Sequence, residues 1–229
     1  MPRPQLRTRS VAGLSDRGLR REVNQDAFLA SDSLLAVADG VGGGPAGEVA
    51  SRVAIEALAP EGDVRRASAA VYDAAMADPQ LRGMATTLTA ARFTDEGFAV
   101  SNAGDSRAYR LRDGGIELLT RDHSFTEQLV SQGLLTRDRV ASHPLRNMIT
   151  RALGRDRDTD FETFVADVRT GDVFLLCSDG LTKMVDERAI ATIVATAPSL
   201  EAAALALVRA ANAAGGHDNV TVVLARAAA

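Results

Sequence analysis

Cysteine occurs once in the 229 residues, at Cys177, so no intrachain disulfide forms and no cysteine-rich zinc site exists. Histidine is nearly as rare. His123, His143 and His217 lie far apart, and a histidine-built metal site would need all three to converge. Lysine is scarce: most of the 26 basic residues are arginines, scattered along the chain. Against 30 acidic residues this leaves a net charge of −4 and a pI of about 5.4. That balance argues against a nucleic-acid partner, because a phosphate backbone demands clustered positive charge. No apolar run reaches the ~18–20 residues of a membrane-spanning helix. The opening MPRPQLRTRS is basic but lacks the apolar stretch of a secretion signal. No linker-like tract, charge block or internal repeat interrupts the chain.

What remains is ordinary for a globular protein, with 46% apolar and 24% charged residues. The length suits one domain over residues 8–229, preceded by a loose arm over residues 1–7 in which Pro2 and Pro4 oppose regular structure. The expectation is a cytoplasmic monomer with no membrane insertion. Leu34 to Ala38 and Val173 to Cys177 are continuous apolar runs, read as buried strands. Thr87 to Phe93, Phe98 to Ala103, Ser106 to Leu111, Ile116 to Leu119, Phe161 to Val168 and Val220 to Ala225 also read as strands, several divided by Gly and Asp turn signals. Gly47 to Ala59 and Ser199 to Ala213 carry apolar residues at helical spacing. Asp63 to Ala77 begins on a capping aspartate and stops before Pro79; Glu187 to Ala197 stops before Pro198. Strands in antiparallel-looking groups, with helices in pairs between them, predict an α+β fold. Residues 123–150 fit neither period and read as an irregular, partly helical insertion.

Two of the buried strands end in Asp-Gly, at Asp39-Gly40 and Asp179-Gly180. A third carboxylate, Asp218, stands before the last strand. Carboxylates delivered to the rim of a core need a positive partner, and an all-oxygen set suits Mg²⁺ or Mn²⁺ rather than zinc. Asp-Gly is also a common turn dipeptide, so these residues by themselves leave a metal site and a pair of turns both open. The glycine-rich stretch from Asp39 to Gly47 lacks the Gly-Lys-Ser/Thr of a nucleotide-phosphate loop; it reads either as a flexible turn or, better, as glycines that let backbone approach a metal and its water.

The order of short motifs resembles a family. It runs Gly18-x-x-Arg21-x-x-Asn24-Gln25-Asp26, Asp39-Gly40-Val41-Gly42-Gly43, Gly83-Met84-Ala85-Thr86-Thr87, Gly104-Asp105-Ser106-Arg107, Asp122-His123-Ser124, Cys177-Ser178-Asp179-Gly180-Leu181-Thr182 and Asp218-Asn219-Val220-Thr221. This set is similar to the metal-dependent (type 2C, PPM) Ser/Thr protein phosphatases in their short bacterial form, over about residues 8–226. The resemblance implies a central sandwich of two antiparallel sheets flanked by helix pairs, with residues 123–150 as a flap beside the active site. It implies two tightly bound Mn²⁺ or Mg²⁺ ions, with Asp39 bridging both, Asp179 and Asp218 completing one, and the Gly40 carbonyl serving the other. Asp122 would help hold a third, weaker ion, Arg21 would bind the substrate phosphate, and Asp26 would stand behind the ligands. The activity implied is hydrolysis of phosphoserine and phosphothreonine by metal-activated water, opposing a Ser/Thr kinase. Two departures from the family stand out. Gln25 occupies a place where some members carry Glu, and Val41 a place where eukaryotic members carry a candidate proton-donating His. His143 in the flap is a candidate for that role, while His123 and His217 are read as packing beside ligands. A small-molecule phosphoesterase and a non-catalytic binding module are the competing readings.

Overall fold

The structure, a computed structural model, describes residues 7–41, 46–59 and 61–228. The proposed arm therefore lies outside the described residues except for Arg7, which opens a strand, and so do Gly42 to Pro45 of the glycine-rich stretch. Two five-stranded antiparallel sheets face one another. One is ordered β1 (Arg7–Asp16), β10 (Val220–Ala228), β9 (Val173–Cys177), β6 (Arg107–Arg112), β7 (Gly115–Leu118). The other is ordered β2 (Asp26–Ala30), β3 (Leu35–Asp39), β4 (Leu88–Thr94), β5 (Gly97–Ala103), β8 (Glu162–Ala166). Helices α1 (Gly47–Leu58) and α2 (Val64–Ala77) cover the second sheet, while α5 (Glu187–Thr196) and α6 (Leu200–Ala213) cover the first.

The continuous apolar runs follow from this layering. Side chains alternate across a strand, so a strand covered on both faces needs apolar residues at every position. In β3, Leu35 and Val37 face the other sheet while Ala36 and Ala38 face α1 and α2. In β9, Phe174 and Leu176 enter the inter-sheet core, and Val173, Leu175 and Cys177 pack toward α5 and α6. Phe174 stacks on Phe98 of the opposite sheet with ring centroids 3.9 Å apart. Helix ends obey the capping signals: Asp63 accepts from the Arg65 and Arg66 N–H groups, and Ser199 from that of Ala202.

Two strands escaped the sequence reading. Both β1 and β2 are edge strands, and β2 is half-buried throughout, so neither carries a strong apolar signal. The insertion at 123–150 contains a short helix, α3 (Phe125–Ser131), and a 3₁₀ turn over Arg137–Ser142. Its two ends are tied by backbone bonds from Phe125 N–H to the Met148 carbonyl, 2.8 Å, and from Thr150 N–H to the His123 carbonyl, 2.7 Å. Between these anchors it stands largely exposed.

Phe174 locks the two sheets face to face, so Phe174→Ala is expected to destabilise the fold by about 3–5 kcal/mol. Urea unfolding measures this directly. A loss below about 1 kcal/mol would mean that the inter-sheet core does not hold the sheets together.

Candidate metal centre

The layered core delivers its acidic residues to one edge. β2 and β3 pair in register so that Asp26 lies opposite Asp39. β9 ends at Cys177, and after Ser178 the chain turns into a single helical turn, α4 (Asp179–Thr182), headed by Asp179. Asp218 precedes β10, the neighbour of β9. Asp39, Asp105, Asp179 and Asp218, with Gly40 and Arg21, line one cavity of about 160 Å³. A second, of about 580 Å³, opens between this edge and the flap and is bordered by Asp105, Asp122, Asp179, Asp218, Arg107, Arg137 and Arg146.

Glycine is required where these segments meet. A Cβ on Gly180 would lie 1.9 Å from the Asn219 carbonyl oxygen, so any side chain there would push Asp179 away from the strand that carries Asp218. A Cβ on Gly40 would lie 2.4 Å from the Gly47 carbonyl oxygen and 2.7 Å from that of Gln25. The Asp-Gly pairs are close approaches of backbone, and not free-standing turns.

Each flanking motif acts on a particular ligand candidate. Thr87 receives the Asp39 N–H on its hydroxyl at 3.0 Å and donates its own N–H to the Asp39 carbonyl at 2.8 Å. The Thr86 hydroxyl donates to the same carbonyl at 2.9 Å, and Thr87 is linked to the Ser106 hydroxyl at 2.8 Å. Asn219 is buried and ties down the loop that carries Arg21. Its amide donates to the Arg17 and Val23 carbonyls and its oxygen accepts the Gln25 N–H at 2.8 Å. Asp26 bridges the sheets: its Oδ2 accepts hydroxyls from Ser178 at 2.8 Å and Thr221 at 2.7 Å, both on the opposite sheet's side.

The electrostatics are those of crowded like charges. Burial and the charges of Asp26, Asp179, Asp105 and Asp218 hold the Asp39 carboxyl well above the usual carboxylate range. Burial raises Asp26 to about 7 against its two hydroxyl bonds, with Asp179 and Asp218 adding to the rise. Asp105 is buried and rises to about 7, mainly through burial and then Asp179, with Lys183 opposing. Asp26 Oδ1 and Asp179 Oδ1 are buried without a hydrogen-bond partner. Bare carboxylate oxygens are costly in a core unless a cation meets them. Hard oxygen donors of this kind fit Mg²⁺ or Mn²⁺. Among the described residues no group of three or more His, Cys, Asp or Glu side chains is, as the side chains stand, arranged to hold a metal ion. Two of the carboxylates instead hold side-chain cations. Arg21 forks onto Asp218 through Nε at 2.8 Å and Nη2 at 2.9 Å. Lys183 Nζ pairs with Asp179 Oδ2. Burial lowers the Lys183 ammonium pKa, but Asp179, Asp105 and Asp39 outweigh it and hold the group charged.

Arg21, Asp39, Gly40, Asp179 and Asp218 are thus brought to one cavity, with Asp26 behind them. Asp122 is set apart from the smaller cavity: both its oxygens are taken by Arg107, through Nε at 2.8 Å and Nη2 at 2.7 Å. His143 lines neither cavity; its Nδ1 accepts the Leu145 N–H and its ring packs near Phe125. His123 accepts the Gly104 N–H on Nδ1 and so braces the turn carrying Asp105. Cys177 is fully buried, and burial pushes its thiol up to about 12, which removes it as a nucleophile. Sequence reasoning gave no role to Asp105 or Asn219, which it names only within motifs, and passed over Lys183. For Asp105 a signal existed: like Asp39 it follows a buried strand, here with the glycine placed before it.

The fold is thus a sandwich of two antiparallel sheets with paired helices outside, whose acidic edge opens into a cavity beside residues 123–150. The family profile described as protein phosphatase 2C matches residues 19–213, and the chain belongs to that family. It is 41% identical over 228 residues to the serine/threonine protein phosphatase PstP of Mycobacterium tuberculosis, covering 93% of this chain and 44% of that protein. The chain therefore spans less than half the length of that relative. It is 34% identical to the serine/threonine phosphatase stp of Listeria welshimeri over 92% of both chains. The crystal structure of the Mycobacterium tuberculosis phosphatase superposes with a TM-score of 0.87 at 39% identity, over 96% of this chain and 98% of that one. A structure of the PstP catalytic domain in complex with two manganese ions superposes at 0.86 and 38% identity, covering 98% of this chain and 100% of that one.

The crowding sets a pH dependence. Asp26 and Asp105 keep protons up to about 7 in the folded chain, whereas unfolded aspartates lose them near 3.8. Across that interval the folded state binds more protons, so stability falls as pH rises. Thermal unfolding in chelator is expected to show a higher midpoint near about pH 5 than near about pH 8, with Asp105→Asn flattening the difference. A midpoint that rises over this interval would contradict the assignment.

Proposed function

We propose that this domain hydrolyses phosphoserine and phosphothreonine in proteins, using two Mn²⁺ or Mg²⁺ ions held by Asp39, Asp179, Asp218 and the Gly40 carbonyl. The observation that carries the reading is the set of crowded carboxylates, two with bare buried oxygens, opening beside an arginine into a cavity of about 580 Å³. When bound, the ions supply an activated water and positive charge for the phosphoryl oxygens. Asp39, at the end of β3 and fixed through its own backbone by Thr86 and Thr87, holds the ligand oxygens still. Asp26 keeps Oδ2 on two hydroxyls, with Oδ1 buried and unpartnered, and so steadies the set from behind. Arg21 presents a planar fork at the border of both cavities, the geometry that receives a phosphate dianion. The larger cavity is open and walled by flap residues including Arg137 and Arg146, which suits a phosphate carried on a polypeptide better than one buried in a small molecule. The substrates on this reading are phosphorylated proteins, including a cognate Ser/Thr kinase, and the domain acts in the cytoplasm as a monomer. No helix among the described residues is long and apolar enough to cross a membrane. A third, weaker ion at Asp122, as the family resemblance implies, would have to displace the Arg107 guanidinium from both carboxylate oxygens.

A phosphothreonine peptide assayed with Mn²⁺ and then with excess chelator tests the reading: hydrolysis is expected in the first case and none in the second. Turnover that persists without metal would sink it. Asp39→Asn is expected to lower turnover far more than tenfold, the equivalent of roughly 1.4 kcal/mol, with the fold intact by circular dichroism.

Arg21→Ala should cost about 1.5–3 kcal/mol in kcat/KM. Arg21→Lys should recover part of that loss, because it keeps the charge without the fork. Arg20 is exposed and serves as the control; Arg20→Ala should be silent. Equal kcat/KM for wild type and Arg21→Ala would remove the arginine from phosphate binding.

A further inference from the structure

Lys183 is the single lysine in the chain; the other 25 of its 26 basic residues are arginines. It stands four residues beyond Asp179, one helical turn on. Its N–H donates to the Asp179 carbonyl at 2.9 Å, and its ammonium returns to Asp179 Oδ2. Its side chain is 35% exposed and borders both cavities. Across the larger cavity, Asp122 is held by Arg107, and Arg107 is braced in turn by the Tyr109 hydroxyl at 3.0 Å.

These contacts account for the oxygens that a third ion would use. Asp122 has both oxygens on the Arg107 guanidinium, which is 27% exposed and braced, whereas the similar fork of Arg21 on Asp218 is 40% exposed and free to exchange; Asp179 has Oδ2 on an ammonium. Asp179 Oδ1 is buried without a partner, so Asp179 would have one oxygen to offer an ion of the main pair while keeping Lys183 on the other. Among the described residues that line this cavity, and with Asp218 assigned to the main pair, Asp105 is the remaining carboxylate, and a single carboxylate is a poor site for a divalent cation.

We infer that Lys183 is a resident cation standing in the place of a third divalent ion, with Arg107 holding Asp122 beside it, so that this domain works with two ions and a built-in positive charge. The inference rests on the phosphatase reading above. An ammonium suits the position because it is a compact charge with three donors on a flexible stem. It can stay on Asp179 and still turn a proton toward an anion entering the cavity; a planar fork fixed on Asp179 cannot.

Calorimetric titration with Mn²⁺ tests this independently of turnover. The wild-type chain is expected to take two ions with no further weak site. Lys183→Asp removes the ammonium and adds a carboxylate one turn from Asp179, and it is expected to take three, the third more weakly than the others. Lys183→Gln, closer in size to the native residue, is expected to free Asp179 Oδ2 and add the weak site without adding a ligand; it decides the matter if circular dichroism shows Lys183→Asp misfolded. Hydrolysis of the phosphothreonine peptide should level off in wild type once two ions are bound, and should keep climbing with Mn²⁺ in the variants. A third weak site in the wild type, or variants that stay at two, would overturn the inference. A wild-type chain that binds no Mn²⁺, or binds it and leaves the peptide intact, would instead overturn the phosphatase reading itself.

Discussion

The structure turns on a concentration of negative charge that the folded chain cannot neutralise by itself. Asp26, Asp39, Asp105, Asp179 and Asp218 converge at one edge of two sheets, where burial and mutual repulsion raise the carboxyls of Asp26, Asp39 and Asp105. Among the described residues, Arg21 and Lys183 are the basic side chains that line the same cavity, one paired with Asp218 and the other with Asp179. Two side-chain cations against five carboxylates leave an imbalance, and the bare oxygens of Asp26 and Asp179 show where it is concentrated. Divalent cations are the natural complement, and the rest of the architecture serves to keep the carboxylates close enough to need them.

Holding them close requires rigid surroundings, and the four layers provide these. β3 and β9 are buried on both faces, so their ends are fixed by inter-sheet packing on one side and by helices on the other. Glycines at 40 and 180 then let backbone meet backbone without an intervening side chain. The hydroxyls of Ser178 and Thr221 complete the cross-sheet link through Asp26, which belongs to the other sheet. Strain from repulsion at the edge is therefore borne by a close-packed interior that resists deformation.

The arginines divide by geometry. Arg107 is buried enough to be locked as a fork on Asp122, with a tyrosine hydroxyl behind it. Arg21 makes a similar fork on Asp218 but is 40% exposed at the mouth of the site, on a loop held mainly through Asn219. An exposed fork is weakly held against a competing dianion, and a buried, braced one is strongly held. Equal chemistry at two positions thus yields an exchangeable fork in one place and a fixed strut in the other.

Much of this was legible along the chain. Local rules sufficed for the strands of the double-covered core, for the caps at Asp63 and Ser199, and for the strand-then-carboxylate pattern at Asp39 and Asp179. Each of these depends on residues adjacent in sequence: alternation, periodicity, a side-chain oxygen before a helix. The edge strands β1 and β2 were invisible because an edge has little apolar surface to declare, and its partner, β10 for β1, stands at the far end of the chain. The role of Asn219 and the hydroxyl partners of Asp26 were decided only in three dimensions, since these contacts join residues 152 to 202 apart in sequence. So were the capture of Asp122 by Arg107 and of Asp179 by Lys183. Which cation meets which carboxylate depends on where folded strands end and how deeply each pair is buried, and neither quantity is written in local spacing.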